Sequence, residues 1–261
     1  MSQCVWHGAC SFGCSMQARA KSTVVLGILI LAVGCGSEPS GIEAAQCYSG
    51  GRGVVREQKR LPGGARARSW LPARGSIRSG VLMVTGIDGG FLEPGDDLYE
   101  ALGQWFADHG TGAIFVEYRR PGELRASTCD ALAGAQFLRE RGASRFALVG
   151  WSFGGAVISH TAAELGPAAQ TLVGLAAQSR DTEVLERFAG RSVYLVHDPA
   201  DENVPFTAME QIAAEVPPGV QVVARRVEGS NHALDGLGGL LRSEIPRWVL
   251  EDLCPRDAAL R

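Results

Sequence analysis

The stretch Gly150-Trp-Ser-Phe-Gly-Gly155 restricts the fold open to this chain more than any other. Before it comes Arg145-Phe-Ala-Leu-Val149, a short apolar run bounded by Gly142 and Gly150, which reads as a buried strand. After it comes Ala156 to Leu165, which reads as a helix. A serine placed between strand and helix must occupy a sharp turn, and the small neighbours Gly150 and Gly154 let the two backbone arms pass close together. Such a turn projects Oγ above the sheet and leaves the free N–H groups of the helix N-terminus behind it, ready to face a developing anion. With 34 glycines in the chain, Gly-x-Ser-x-Gly alone could arise by chance. The strand before it and the helix after it give it meaning.

The rest of the chain repeats that alternation. A hairpin is expected over Val54 to Arg60 and Ala65 to Trp70, joined by Pro62-Gly63-Gly64. From 81 onward the reading is strand Val81–Thr85, helix Leu98–Asp108, strand Ala113–Tyr118 and helix Thr128–Arg141, then the elbow strand and helix. Strand Thr171–Leu175, a short helix Thr182–Phe188 and strand Ser192–Val196 follow. Helix Phe206–Val216, strand Val220–Val227 and helix Leu237–Leu250, with a kink expected at Pro246, complete the series. Repeated strand–helix units with apolar strands predict an α/β fold, a mostly parallel sheet covered by helices on both faces. Neither an internal repeat nor a second domain is visible.

At 261 residues, 46% hydrophobic and 20% charged, the chain suits one globular domain with a short appendage. A net charge of -3, with the Lys and Arg residues scattered, gives no electrostatic case for nucleic acid or an anionic membrane surface. Gly86-Ile-Asp-Gly-Gly90 lacks phosphate-cradling spacing and leads into the acidic Glu93-Pro-Gly-Asp-Asp97, which disfavours a dinucleotide. No metal-ligand cluster is visible, and no cofactor is expected.

Residues 24–34 form an apolar run too short to span a bilayer but suited to a signal-peptide core, with Arg19 and Lys21 ahead of it. Residues 1–34 are therefore expected to be a signal peptide. Its first 15 residues, carrying Cys4, Cys10 and Cys14, are attributed to a start-site artefact, because Met16 begins a more typical signal and no partner follows at zinc-site spacing. Ala32-Val33-Gly34-Cys35, then Gly-Ser-Glu-Pro-Ser-Gly, resembles a bacterial lipoprotein signal, which implies a lipid on Cys35. Residues 35–50 would be a tether and 51–261 the folded domain. The expected location is exported and membrane-anchored through that lipid alone, with a secreted soluble form as the alternative. Cys47, Cys129 and Cys254 allow one disulfide, with Cys47–Cys254 preferred because both flank the domain.

Two further segments carry chemistry. Val193 to Pro205 leaves a strand and presents Asp198 and Asp201, either of which could serve as an acid beside a base. Glu228-Gly-Ser-Asn-His232 leaves the last strand and presents His232 ahead of the final helix. The other histidines fit less well: His7 precedes the signal, His109 ends a helix, His160 sits within the elbow helix, and His197 adjoins the acid loop. A serine, an acid and a histidine in that order have the sequence order of an acyl-transfer triad.

On these three motifs, over roughly residues 75–250, the chain resembles the α/β-hydrolases, in particular the compact dienelactone-hydrolase-like group without a large lid. The resemblance implies Ser152 as nucleophile and His232 as base. It implies Asp201 as the acid, because Asp-x-x-Val-Pro matches the family's acid loop, and a structural role for His197. It also implies an oxyanion hole from the backbone N–H of Phe153 and a second donor, assigned to Ile87, from the loop Thr85-Gly-Ile-Asp-Gly-Gly90. Thr85 stands where the family has histidine. Asp88 is read as a solvent-facing turn residue, with recognition of a cationic or hydroxyl-bearing substrate as the alternative. Arg119 or Arg120 could line the mouth of the site and bind a carboxylate, or could be surface residues. The expected activity is a serine hydrolase acting on a carboxylic ester of small or medium acyl size. A peptidase or acyltransferase on the same triad, and a non-catalytic surface lipoprotein binding module, are the alternatives.

Overall fold

The computed structural model describes residues 53–253. The expected signal peptide, Cys35 with its tether, Cys47 and Cys254 lie outside the described residues; Cys129 is a free, exposed thiol. Among the described residues, eight strands form one sheet: β1 (Val54–Arg60), β2 (Arg66–Pro72), β3 (Ser79–Val84), β4 (Gly112–Glu117), β5 (Arg145–Trp151), β6 (Ala169–Leu175), β7 (Ser192–His197) and β8 (Gln221–Arg226). Among the described residues, five α-helices alternate with them: α1 (Leu98–Asp108), α2 (Leu124–Arg139), α3 (Gly154–Leu165), α4 (Thr207–Glu215) and α5 (Gly238–Leu253). The strand order is β1-β2-β4-β3-β5-β6-β7-β8. β1 and β2 pair antiparallel with their neighbours, and every pair from β4–β3 to β7–β8 is parallel.

Strand periodicity divides the core. Along β3, Leu82 and Val84 face one side with Ile114 and Val116 of β4, under α2, α3 and α4. Val81 and Met83 face the other side with Ala113 and Phe115, under α1 and α5. The near-continuous apolar runs of β3 to β7 therefore follow from burial on both faces. At the edge, β1 exposes Arg56, Glu57, Gln58 and Arg60, charged or polar groups that discourage pairing with another chain.

α1 occupies the expected span, whereas α2 begins at Leu124, four residues before the expected Thr128. The first turn Leu-Arg-Ala-Ser lacks apolar periodicity. Its start is fixed instead by the turn at Pro121-Gly122 and by buried Ser127, whose hydroxyl donates to the Arg120 carbonyl at 3.3 Å. The short helix expected over 182–188 is a 3-10 helix, Glu183–Arg187. α5 runs through Pro246 without breaking and reaches Leu253.

Gly103 of α1 packs directly on the indole of Trp70, and any Cβ there would overlap the ring. Trp70 is fully buried in β2. Gly103→Ala should lower stability by about 1–3 kcal/mol through overpacking. A urea midpoint unchanged from wild type would contradict this packing.

Candidate active site

β5 lies between β3 and β6, and Ser152 follows its last residue in the left-handed region at φ 56°. That conformation is costly for a residue with a Cβ and persists only where surroundings hold it. Here the Ser152 N–H donates to the Leu175 carbonyl at 3.0 Å, and its carbonyl accepts from Gly155 at 2.9 Å and Gln178 at 3.2 Å. A Cβ on Gly150 would collide with the Gly154 carbonyl, so glycine at 150 is a steric requirement of the turn.

Ser152, His232 and Asp201 come together in one hydrogen-bonded row. His232 Nε2 lies 2.9 Å from Ser152 Oγ, and His232 Nδ1 lies 2.7 Å from Asp201 Oδ2. The carboxylate can only accept, so Nδ1 carries the proton and Nε2 offers its lone pair to the serine hydroxyl. The Asp201 side chain is 0% exposed and that of His232 15%, which puts the acid inside and the imidazole edge within reach of a ligand.

Asp201 is heavily supported. Its Oδ1 accepts the Asn203 and Val204 N–H groups at 2.8 and 2.9 Å. His197 Nε2 stands 3.2 Å from Oδ2 and 3.0 Å from the Val204 carbonyl; both neighbours are acceptors, so that nitrogen is protonated. Burial pushes the Asp201 carboxyl up. The His232 hydrogen bond and the Val204 and Asn203 N–H groups outweigh it, and the carboxyl ends below the ordinary aspartate value. Asp198, the rival acid, faces elsewhere. It accepts from Ala200 N at 2.8 Å and from both the N–H and the hydroxyl of Ser230, at 2.8 and 3.0 Å. Burial raises its carboxyl too, and these donors more than reverse the effect.

The loop after β3 passes beside the serine, with Gly86 so close that a Cβ there would lie 3.5 Å from Ser152 Cβ. Two fully buried tyrosines fix the end of that strand: Tyr118 Oη donates to the Thr85 carbonyl at 3.0 Å and Tyr99 Oη to the Val84 carbonyl at 3.1 Å. Among the described residues, neither the Phe153 N–H nor the Ile87 N–H donates to a protein acceptor. The Ile87 side chain is 55% exposed, and Asp88 beside it faces solvent.

Of the two readings open for Arg119 and Arg120, surface placement is the one observed. Arg119 is not a free cation at the mouth: its Nε and backbone N–H hold buried Asp130 at 2.6 and 2.8 Å, and its Nη1 donates to the Gly63 carbonyl. Arg120 is exposed and pairs with Glu123 at 3.3 Å. Sequence reasoning also missed the tyrosine tethers and the contact of Trp151 Nε1 with the His232 carbonyl at 2.9 Å. No spacing rule signals contacts that link residues 33 or 81 positions apart. Among the described residues, no three His, Cys, Asp or Glu side chains are placed to hold a metal ion.

Neither a family model nor a curated protein sequence matches the chain. Solved structures do. Est1E from Butyrivibrio proteoclasticus matches with a TM-score of 0.62 at 13% identity, over 77% of this chain and 99% of Est1E. A hydrolase from Thermoplasma acidophilum, predicted to be CIB-like, matches with a TM-score of 0.57 at 16% identity, over 76% and 98%. The dienelactone hydrolase-like promiscuous phosphotriesterase P91, from metagenomic libraries, matches at 0.56 and 16%, over 69% and 84%. At these identities the likeness establishes the fold alone, a mostly parallel α/β sheet with its helical layers.

Both acid-loop carboxyls titrate below an unfolded aspartate, whose value is about 3.9. Their contribution to stability is fully present above about pH 4 and is lost as pH falls through the lower folded values. Asp198→Asn should therefore lower stability at neutral pH and flatten its decline below about pH 4. Urea melts over that acid range check this, and a decline as steep as wild type would refute it.

Proposed function

We propose that this domain is a serine hydrolase that cleaves carboxylic esters of small or medium acyl size through an acyl-enzyme. The observation that carries the reading is the continuous row Ser152 Oγ–His232–Asp201, at 2.9 and 2.7 Å. A serine hydroxyl is a weak nucleophile at neutral pH and needs a base at hydrogen-bond distance. His232 takes the Oγ proton as Oγ attacks the ester carbonyl carbon, and Asp201 fixes the tautomer and offsets the imidazolium charge.

The carbonyl oxygen becomes an oxyanion, and the Phe153 and Ile87 N–H groups are the donors proposed for it. Collapse expels the alcohol, which takes the proton from His232 and leaves an ester on Ser152. Water, activated by the same imidazole, then attacks that ester and releases the acid, returning the proton to Oγ.

The choice of a modest substrate rests on the connections around the site. Residues 176–191, between β6 and β7, contain one short 3-10 helix, so that connection contributes no helical lid above Ser152. Ile87 and Leu92, both more than half exposed, put apolar surface on the loop beside the serine, suited to the hydrocarbon part of an ester rather than to a charged group. Export, with the domain held to a membrane by a lipid on Cys35, belongs to the same proposal and rests on the sequence of residues 16–35.

The decisive measurement is fluorophosphonate labelling of the purified domain together with turnover of short p-nitrophenyl esters. Ser152→Ala should abolish labelling, and His232→Ala should lower kcat on the order of 10⁴-fold or more. Equal labelling of wild type and Ser152→Ala, or full turnover by His232→Ala, would defeat the proposal.

A further inference from the structure

His232 lies in irregular chain between β8 and α5, so no ladder or helix fixes its backbone. Three contacts from other parts of the molecule do. Two residues upstream, Ser230 is held by the Asp198 carboxylate. At His232 itself, the carbonyl accepts the Trp151 indole N–H at 2.9 Å. One residue downstream, the Ala233 carbonyl accepts the Gly95 N–H at 2.8 Å. Leu234, fully buried, then turns through the left-handed region at φ 59°, a conformation an apolar side chain adopts only when both flanks are secured.

The Trp151 contact differs from the other two in where it originates. Trp151 is the last residue of β5, paired with Leu175 of β6, and it immediately precedes Ser152. Its ring also lies beside the imidazole of His232, with centroids 5.4 Å apart and planes inclined by 36°. The turn that sets the position of Ser152 Oγ thus reaches across and sets the peptide plane from which the His232 ring hangs. Any shift of β5 carries both groups together.

We propose that Trp151 is a positioning residue for His232, acting through its indole N–H, and that this side chain ties the His232 backbone directly to the strand end that carries Ser152. The role rests on the serine-hydrolase reading for its effect on turnover, but its geometric consequence does not depend on any substrate. The Trp151 hydrogen bond goes to the His232 backbone, not to the ring nitrogens that face Ser152 and Asp201. Loss of the N–H leaves the His232 carbonyl without its donor and frees the loop to rotate about the Asp198 and Gly95 contacts. Misplacement of a catalytic group by about 1 Å costs up to about 100-fold in rate.

The test replaces Trp151 with 3-benzothienylalanine, whose sulfur stands in the place of the N–H while the bicyclic shape is kept. Trp151→Phe, aromatic and also without a donor, is the second variant. Two readouts are compared with wild type: kcat and KM on p-nitrophenyl acetate, and the downfield proton resonance of His232 Nδ1–H in its hydrogen bond to Asp201. The expected result, with thermal midpoints confirming that both variants fold, is a fall in kcat of about 10-fold or more at nearly constant KM. The resonance should broaden or disappear in both variants. An unchanged kcat or an unchanged resonance in the benzothienyl variant overturns the role. Were wild type to show no Ser152-dependent turnover, the hydrolase reading would fail, while the resonance alone would still decide whether Trp151 places His232.

Discussion

A left-handed serine at the end of an interior strand is the constraint on which the site depends. The conformation costs about 1–3 kcal/mol for a residue with a side chain, so the surroundings must make every relaxed alternative worse. They do so from both sides. β6 captures the Ser152 N–H through Leu175, and Gln178 and Gly155 share its carbonyl. Relaxation toward an ordinary turn would break these bonds. Glycine at 150 is the accompanying requirement, because strand and helix arms cross where a Cβ would meet the Gly154 carbonyl.

The acid loop solves a second problem, that of two carboxylates three residues apart on one buried segment. Like charges so close should raise each other's proton affinity. Each instead has its own set of donors: Asn203, Val204, His197 and His232 around Asp201, and Ala200 with Ser230 around Asp198. Both therefore stay ionised, and their tasks diverge. One holds the imidazole, the other holds the chain that carries it. The competition between Asp198 and Asp201 left open by spacing alone is resolved by the direction of each side chain, with both of them in use.

This division shows what the sequence could and could not convey. Apolar runs located β3 to β7, and the amphipathic pattern of α1 gave its span, because burial on one or both faces writes directly into residue order. Ser152, Asp201 and His232 were legible because each follows a strand that periodicity had already placed, and the sheet gathers parallel strand ends on one edge. Arg119 was not legible. Its partner Asp130 lies 11 residues on, a separation that no spacing rule links. Trp151 was hidden for a different reason. The motif reading treats that position as variable, while its value lies in a hydrogen bond to a loop 81 residues away.

The final helix connects these local devices to the sheet as a whole. The His232 loop leads into α5, so motion of that helix would move His232 relative to Ser152. The far end of α5 is fastened to the opposite edge of the same strands. Asp252, nearly buried, accepts the Thr171 hydroxyl of β6 at 2.7 Å and the Ser192 hydroxyl at the start of β7, and Arg145 at the start of β5 donates to the Leu253 carbonyl. These are the strands whose other tips lead to Ser152, the Leu175 anchor and the loop of Asp198 and Asp201. A carboxylate buried at the bottom of the sheet thus contributes to geometry at the top. The helix is clamped at one end by Asp252 and joined at the other to a loop that Trp151, Asp198 and Gly95 hold, so a rigid-body shift of α5 would disturb contacts at both ends.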